Sequence, residues 1–148
     1  MKRELEEDLK RTVKLFKKIA LVLKPPPKLT IDTWADMYRV LSTKSSAIPG
    51  KWKTDRVPFQ REVMRAISDK NTEKVVMMYG AQLSKTEILM NTVGYFMDYE
   101  PSPIMFLMPT KDMAADFSTT RLNDMIQSTP QLRNKVIESA DARDTKRQ

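Results

Sequence analysis

The sequence contains no cysteine and no histidine. Disulfide bonds, zinc sites and histidine-based acid–base catalysis are therefore excluded. No apolar run approaches the roughly 20 residues that a membrane-spanning helix needs. The N-terminus, MKRELEEDLK, turns acidic within a few residues, which is wrong for a secretory signal. We therefore expect no membrane partner, and the lack of cysteine is compatible with a cytoplasm without selecting one.

The composition is that of a folded, basic protein. The chain has 148 residues, of which 41% are hydrophobic and 30% charged, and its net charge is +7. This length is sufficient for one domain with its own core. The positive charge favours an anionic partner such as a nucleic acid or a nucleotide, although many proteins with such an excess bind neither.

The chain divides into three parts. Residues 1–29 combine an amphipathic helix with a proline-rich linker, because apolar residues recur at three- and four-residue steps until Pro25-Pro26-Pro27. Residues 30–135 hold the remaining apolar periodicity and are predicted to form the main domain. Residues 136–148 include ADARDTKRQ, which has no apolar periodicity, so we expect a disordered tail there.

The main domain alternates helical and apolar segments. Helices are predicted at residues 30–42, 58–68, 85–97, 114–127 and 131–139, and buried strands at 75–79 and 104–108. Because a helix lies between two apolar strands, we predict a right-handed βαβ unit with parallel strands. An alternative is a helical scaffold in which the apolar runs are themselves helices.

The most informative stretch is residues 74–86, KVVMMYGAQLSKT, in which an apolar run leads into a short loop and then a helix. In that order the N–H groups of the loop and of the helix start can hold phosphates. The pattern GxxxxGK[ST] laid on residues 79–86 finds Tyr79 and Ser84 at its two glycine positions but retains Lys85-Thr86. By pattern and context alone, a nucleotide loop and an ordinary strand–helix connection are equally favoured.

Two further sets of residues suit a nucleotide or a nucleic acid. Gln60 carries an amide that can read the edge of an adenine, but an exposed helix glutamine is the alternative. Three basic residues surround Trp52, an arrangement that suits nucleic-acid contact; the alternative is a surface loop with one anchoring tryptophan. These candidate DNA contacts are Lys51, Lys53 and Arg56.

Several short motifs occur in order along about residues 34–135. They are WAD, PGKW, PFQRE, GAQLSKTE, Asn91, Gly94-Tyr95 and MPTKDMAADFSTTRL. Together they resemble the N-terminal part of the ATPase domain of phage terminase large subunits of the GpA, lambda-like type. The resemblance favours an α/β fold with a partial P-loop-NTPase-like parallel sheet, built on the βαβ unit and preceded by N-terminal helices.

The resemblance implies an ATPase that drives double-stranded DNA into a viral capsid, with a separate nuclease. ATP and Mg²⁺ are its implied cofactors, with Lys85 on the β- and γ-phosphates, Thr86 on Mg²⁺ and Gln60 on the adenine side. The implied nucleotide-binding residues are Gln60, Gly80, Ala81, Gln82, Leu83, Ser84, Lys85 and Thr86. The implied partners are the terminase small subunit and the capsid portal, and the implied location is the cytoplasm of the bacterial host.

The sequence departs from the family pattern in three ways. Ser84 replaces a glycine, residues 79–84 contain no arginine, and the best match to a Walker B strand, Lys135–Glu138, has only two apolar residues before its acid. We therefore predict a truncated or partial terminase ATPase with a Walker A-like loop, no assigned catalytic residue and no nuclease. Self-association, or assembly with the remainder of a large subunit, would cover its sheet. The alternative is a non-catalytic prophage remnant that binds DNA or a partner.

Overall fold

The structure is a computed structural model that describes residues 2–23 and 28–136. Its α-helices are α1 (Lys2–Leu23), α2 (Ile31–Tyr38), α3 (Phe59–Ser68), α4 (Lys85–Asp98), α5 (Lys111–Asp116), α6 (Asn123–Ser128) and α7 (Pro130–Arg133). A 3-10 turn covers Thr54–Arg56, and a π-helical segment, Phe117–Leu122, joins α5 to α6. Strands β1 (Val40–Leu41) and β2 (Gly50–Lys51) form an antiparallel pair. The described fold is therefore helix-rich, with one small sheet.

The predicted parallel strands are not formed. Residues 75–79 and 104–108 are assigned to no strand, and within the described residues the only sheet is the antiparallel pair β1–β2. The reason is that the backbones of these two segments form no backbone–backbone hydrogen bonds to a neighbouring segment within the described residues. The prediction that residues 75–79 are buried on both faces is also wrong, because the Val76 and Met78 side chains are 71% and 92% exposed.

Most helix boundaries match the pattern of apolar residues. The helices α3 and α4 begin and end within one residue of their predicted bounds. The predicted helix 30–42 ends early, because Arg39 adopts an extended backbone (φ −70°, ψ 137°) and leads into β1. The predicted helix 114–127 is longer at its start, where Thr110 caps α5. The predicted tail lies outside the described residues from position 137 onward.

The core is built where α2 packs on α4. Trp34 is fully buried, and its indole N–H donates to the Asp98 carboxylate at 2.7 Å. Gly94 of α4 lies directly against this ring: a Cβ placed on Gly94 would come within 2.7 Å of the ring carbon Cζ3 of Trp34. Gly94 therefore permits the close approach of α4 to the Trp34 ring.

A buried carboxylate joins α2 to α3. Asp32 is fully buried and forms ion pairs with Arg61 and Arg65 of α3, at 3.0 and 3.1 Å. Burial alone would raise the pKa of Asp32, but the Thr30 hydroxyl and the two guanidinium groups outweigh burial and hold that pKa below its ordinary value. The stabilisation is therefore present above the unfolded-state pKa and is lost as the pH falls through the folded-state pKa.

The helix α1 presents apolar side chains to solvent. Leu9, Phe16 and Leu23 are 67%, 67% and 75% exposed. Among the described helices, none is long and apolar enough to cross a membrane.

Candidate functional site

The loop between Tyr79 and α4 lies on the surface. Residues 80–83 are exposed, while Ser84, Lys85 and Thr86 are partly covered. A turn at Ala81 and Gln82 reverses the chain before the helix begins at Lys85. The loop backbone is thus accessible to a ligand along most of its length.

Two loop residues adopt the left-handed backbone conformation. Gln82 has φ 58° and Ser84 has φ 59°. This conformation costs a non-glycine residue about 1–2 kcal/mol. Gly80, the one glycine of the loop, is not in that region. Ser84 therefore adopts a backbone conformation that favours glycine, although the Ser84 side chain makes this conformation less favourable.

The start of α4 is uncapped. The Ser84 side chain makes no capping hydrogen bond, and in the described part of the chain no acceptor binds the N–H groups of residues 81–86. Free N–H groups at a helix start, together with the positive end of the helix dipole, attract anions. The loop therefore offers free donors, and their use by a phosphate stays a prediction.

The next two residues, Lys85 and Thr86, begin α4. The Lys85 ammonium donates to the Tyr79 carbonyl oxygen at 3.1 Å, so it lies across the loop. The Thr86 hydroxyl is partly covered and forms no hydrogen bond within the described residues. These are the two residues to which the sequence pattern assigns phosphate and Mg²⁺.

Gln60 is a core residue, which excludes its interpretation as an exposed helix glutamine. It is fully buried, and neither atom of its amide group has a hydrogen-bond partner within the described chain. Its neighbour Phe59 meets the Tyr79 ring edge-on, with the ring centroids 5.6 Å apart. The start of α3 is thereby connected to the residue that precedes the loop.

The three candidate DNA-contact cations are exposed, but the tryptophan between them is not available. Lys51, Lys53 and Arg56 face solvent, and no ion pair to them occurs in the described structure. Trp52 is 8% exposed, and its indole N–H donates to the Thr54 hydroxyl at 3.0 Å. Trp52 therefore anchors the loop, as the simpler sequence interpretation holds, and cannot stack on a base.

Sequence reasoning missed a buried polar cluster beside the loop. Arg39 is 3% exposed and forms an ion pair with Glu87, the residue after Thr86. Its guanidinium also donates to the side-chain oxygen of Asn91. Burial lowers the pKa of Arg39, and the Glu87 carboxylate partly offsets that effect. The one sequence signal was a lone arginine between α2 and the apolar residues of β1.

A cavity of about 530 Å³ adjoins this cluster. Arg39 and Glu87 form part of its wall, Met90 and Met125 add apolar surface, and Lys44 and Arg121 contribute further positive charge. The π-helical segment lies along one side. No sequence pattern predicted this cavity, because its residues come from distant parts of the chain.

An exposed loop with free N–H groups, followed by a helix that begins Lys-Thr, agrees with the predicted phosphate loop, which stays a prediction. The family model described as "Phage terminase large subunit gpA, ATPase domain" matches residues 46–148. The chain therefore belongs to the family of phage terminase large-subunit ATPase domains, and membership of this family implies the use of a nucleotide. The resemblance seen in the motifs is confirmed.

A curated relative supports the same assignment. The chain is 26% identical over 111 residues to "Terminase, large subunit" of Escherichia phage lambda, covering 75% of this chain. It spans only 17% of that relative's length. No solved structure matches the chain significantly.

Proposed function

We propose that the chain binds ATP with Mg²⁺ at residues 80–86 and serves as the front part of a terminase ATPase in viral DNA packaging. The observation that supports this most directly is the run of free N–H groups at residues 81–86. Family membership adds the expectation of a nucleotide. Packaging would place the protein in the cytoplasm of the bacterial host, with the terminase small subunit and the capsid portal as partners.

The loop residues take separate roles in this proposal. Lys85 exchanges the Tyr79 carbonyl for the β- and γ-phosphates, and the backbone of Gly80 to Ser84 surrounds them. Within the described residues no cluster of three or more acidic residues could hold a metal. The Thr86 hydroxyl is therefore the single protein ligand assigned to Mg²⁺, which ordinarily keeps several waters and phosphate oxygens. We assign no residue to the hydrolytic step.

Gln60 is proposed as the adenine-side contact. Its amide has an unused donor and acceptor, as reading an adenine edge requires. Because the side chain is fully buried, adenine would reach it only after neighbouring side chains move. Replacing Gln60 by Glu should therefore weaken ATP binding more than GTP binding, measured by calorimetry, and equal weakening would contradict this role.

Calorimetric titration with ATP and Mg²⁺ tests the phosphate site. The wild type should bind, and Lys85→Ala should weaken binding roughly tenfold or more, since a hydrogen bond to a charged group contributes about 1.5–3 kcal/mol. Lys111→Ala is the matched control, because Lys111 also begins a helix after a hydroxyl residue but its helix is capped. An absence of ATP binding by the wild type would overturn the proposal.

We further propose that the segments 75–79 and 104–108 are strands of a parallel sheet that is completed by additional chain or by self-association. Met78, Met105 and Leu107 are 92%, 84% and 83% exposed, and apolar surface of this kind is usually covered. Light scattering over a range of concentrations tests self-association. Met78→Lys with Leu107→Lys should lower the apparent mass, and a monomer at all concentrations would leave only completion by additional chain.

A second candidate function is a non-catalytic module, such as a prophage remnant, that binds DNA or a partner. The exposed cations Lys51, Lys53 and Arg56 favour it. Neutralising three phosphates with three cations predicts a slope of about −2.7 for log affinity against log salt on duplex DNA. The triple alanine variant should bind more weakly and with a shallower slope. Affinity that does not change with salt would contradict DNA binding by these residues.

A further inference from the structure

Arg39 is a buried cation that contacts the helix end following the loop. It stands directly after α2, yet its guanidinium donates to the Glu87 carboxylate and, at 3.1 Å, to the Glu87 carbonyl oxygen. It also donates to the Asn91 side chain. Because Glu87 and Asn91 are one turn apart on α4, the Arg39 side chain holds the first two turns of that helix.

Trp52 fixes the opposite side of the same guanidinium. The guanidinium carbon lies 4.9 Å from the centre of the indole ring, and the indole is itself held by Thr54. A planar guanidinium that stacks on a ring and reaches several acceptors has few alternative orientations, which an ammonium group would not reproduce. Arg39 therefore connects the β2 loop to α4 in one defined geometry.

The stability of the core does not require an arginine at this position. Removing an ion pair from water is expensive, and well-packed apolar residues of similar volume usually stabilise a core as well or better. The side chain also leaves its Nε atom buried without a hydrogen-bond partner among the described residues. The hydrogen bonds that it does form go to Glu87, the residue after Thr86, and to Asn91, both on α4.

The position of Glu87 gives the ion pair an electrostatic consequence. A carboxylate one residue beyond the phosphate-binding Lys-Thr pair would repel phosphate if it were unpaired. Arg39 neutralises this carboxylate and holds it on the side of the helix. Glu87 can thus remain in the first turn, where the helix dipole favours it, without opposing an anion at the loop.

The loop conformation requires fixed ends. Gln82 and Ser84 are both left-handed, and such strained conformations persist only when the surroundings determine them. Lys85 ties the loop to the Tyr79 carbonyl at its beginning, while the Arg39–Glu87 pair secures the helix that closes it.

We propose that Arg39 is a positioning residue for the nucleotide loop: it fixes the first turns of α4 and neutralises Glu87, so that the free N–H groups face an anion. The nucleotide part of this inference rests on the proposed function. The anchoring part concerns the loop itself and can be measured without a nucleotide.

Hydrogen exchange of the full chain tests the anchoring. Arg39→Lys keeps the charge but loses the planar fork, so the amides of Glu87 and Ile88, which donate to the Ser84 carbonyl oxygen, should exchange roughly tenfold faster, as local opening of the helix start becomes easier. Arg65→Lys is the matched control, because Arg65 is also an ion-paired arginine, but its partner is Asp32 of α2. Equal exchange of Glu87 and Ile88 in the two variants would overturn the inference.

Nucleotide titrations test the electrostatic part. Arg39→Gln should weaken ATP binding roughly tenfold more than AMP binding, because ATP carries more phosphate charge beside the unpaired Glu87. Adding Glu87→Gln should then recover most of the ATP affinity. Equal losses for ATP and AMP, without recovery in the double variant, would make Arg39 merely structural and overturn its positioning role.

The two proposals can fail separately. If the wild type and Lys85→Ala show the same ATP binding, or none, the proposed function fails, whereas the exchange experiment still decides whether Arg39 anchors the loop. If Lys85→Ala weakens ATP binding and both Arg39 variants behave like the wild type, the nucleotide site stands and the inference about Arg39 is wrong.

Discussion

The starts of α4 and α5 are similar in sequence but different in structure. Each follows an apolar segment, and each begins with a lysine after a hydroxyl residue: Ser84-Lys85 and Thr110-Lys111. At α5, Thr110 is extended (φ −136°, ψ 157°), and its hydroxyl accepts from the Met113 N–H at 3.2 Å. At α4, Ser84 is left-handed and forms no such bond.

This difference shows what makes a helix start available to an anion. A capping side chain occupies an N–H group that phosphate would otherwise use. The helix α5 satisfies one of its own donors, whereas α4 leaves its donors free among the described residues. An apolar run followed by a hydroxyl residue and lysine therefore does not distinguish the two helix starts, whereas the backbone conformation of the residue before each helix does.

The two helices also differ in how firmly they are held. The helix α4 contains buried residues along its length, whereas α5 contains none. Gly94→Ala should therefore have a large effect, because its Cβ would meet the Trp34 ring. We expect a loss of about 2 kcal/mol in the free energy of unfolding, since overpacking outweighs the higher helix propensity of alanine. Chemical denaturation measures this loss.

The control for this substitution lies on α5. Ala115 is exposed, so Ala115→Leu adds volume without a clash and should change the free energy of unfolding by less than about 0.5 kcal/mol. Comparable losses of stability at Gly94 and Ala115 would contradict the view that α4 is anchored in the core and α5 is not.

Local sequence patterns predicted the helices well but not the sheet. The helices α3 and α4 follow from three- and four-residue apolar spacing, which depends only on neighbouring residues. A strand depends on partners that are distant in the sequence, and residues 75–79 and 104–108 find none in the described chain. Their apolar character was read correctly, but within the described residues these segments are uncovered and form no strand.

The same distinction explains what was predicted of the site. Lys85 and Thr86 follow from a contiguous motif. The left-handed conformation of Ser84 does not follow from the motif, because serine rarely adopts it. The pairing of Arg39 with Glu87 spans 48 residues, and nothing in either local segment indicates it.

Replacing the residue before each helix, Thr110 or Ser84, by alanine tests the difference between the two helix starts. Thr110→Ala should lower the free energy of unfolding by about 1 kcal/mol, the usual contribution of an N-cap hydrogen bond. Ser84→Ala should lower it less, because Ser84 makes no capping bond. Urea denaturation of both variants measures the two losses. Equal losses would mean that Ser84 does cap α4 in solution.

The smallest expected effect comes from replacing Ser84 by glycine. Glycine adopts the left-handed conformation freely, but it also gains entropy in the unfolded chain. The balance should stabilise the protein by about 0.5 kcal/mol, from about 1–2 kcal/mol of relieved strain less the entropy term. ATP affinity should be unchanged or tighter, because the loop keeps its shape. The matched Thr110→Gly substitution should destabilise the protein slightly, since it removes a cap without relieving strain. Urea denaturation measures the change in the free energy of unfolding for both variants. Changes of opposite sign would distinguish an open, strained helix start from a closed, capped one. Changes of the same sign would remove the distinction.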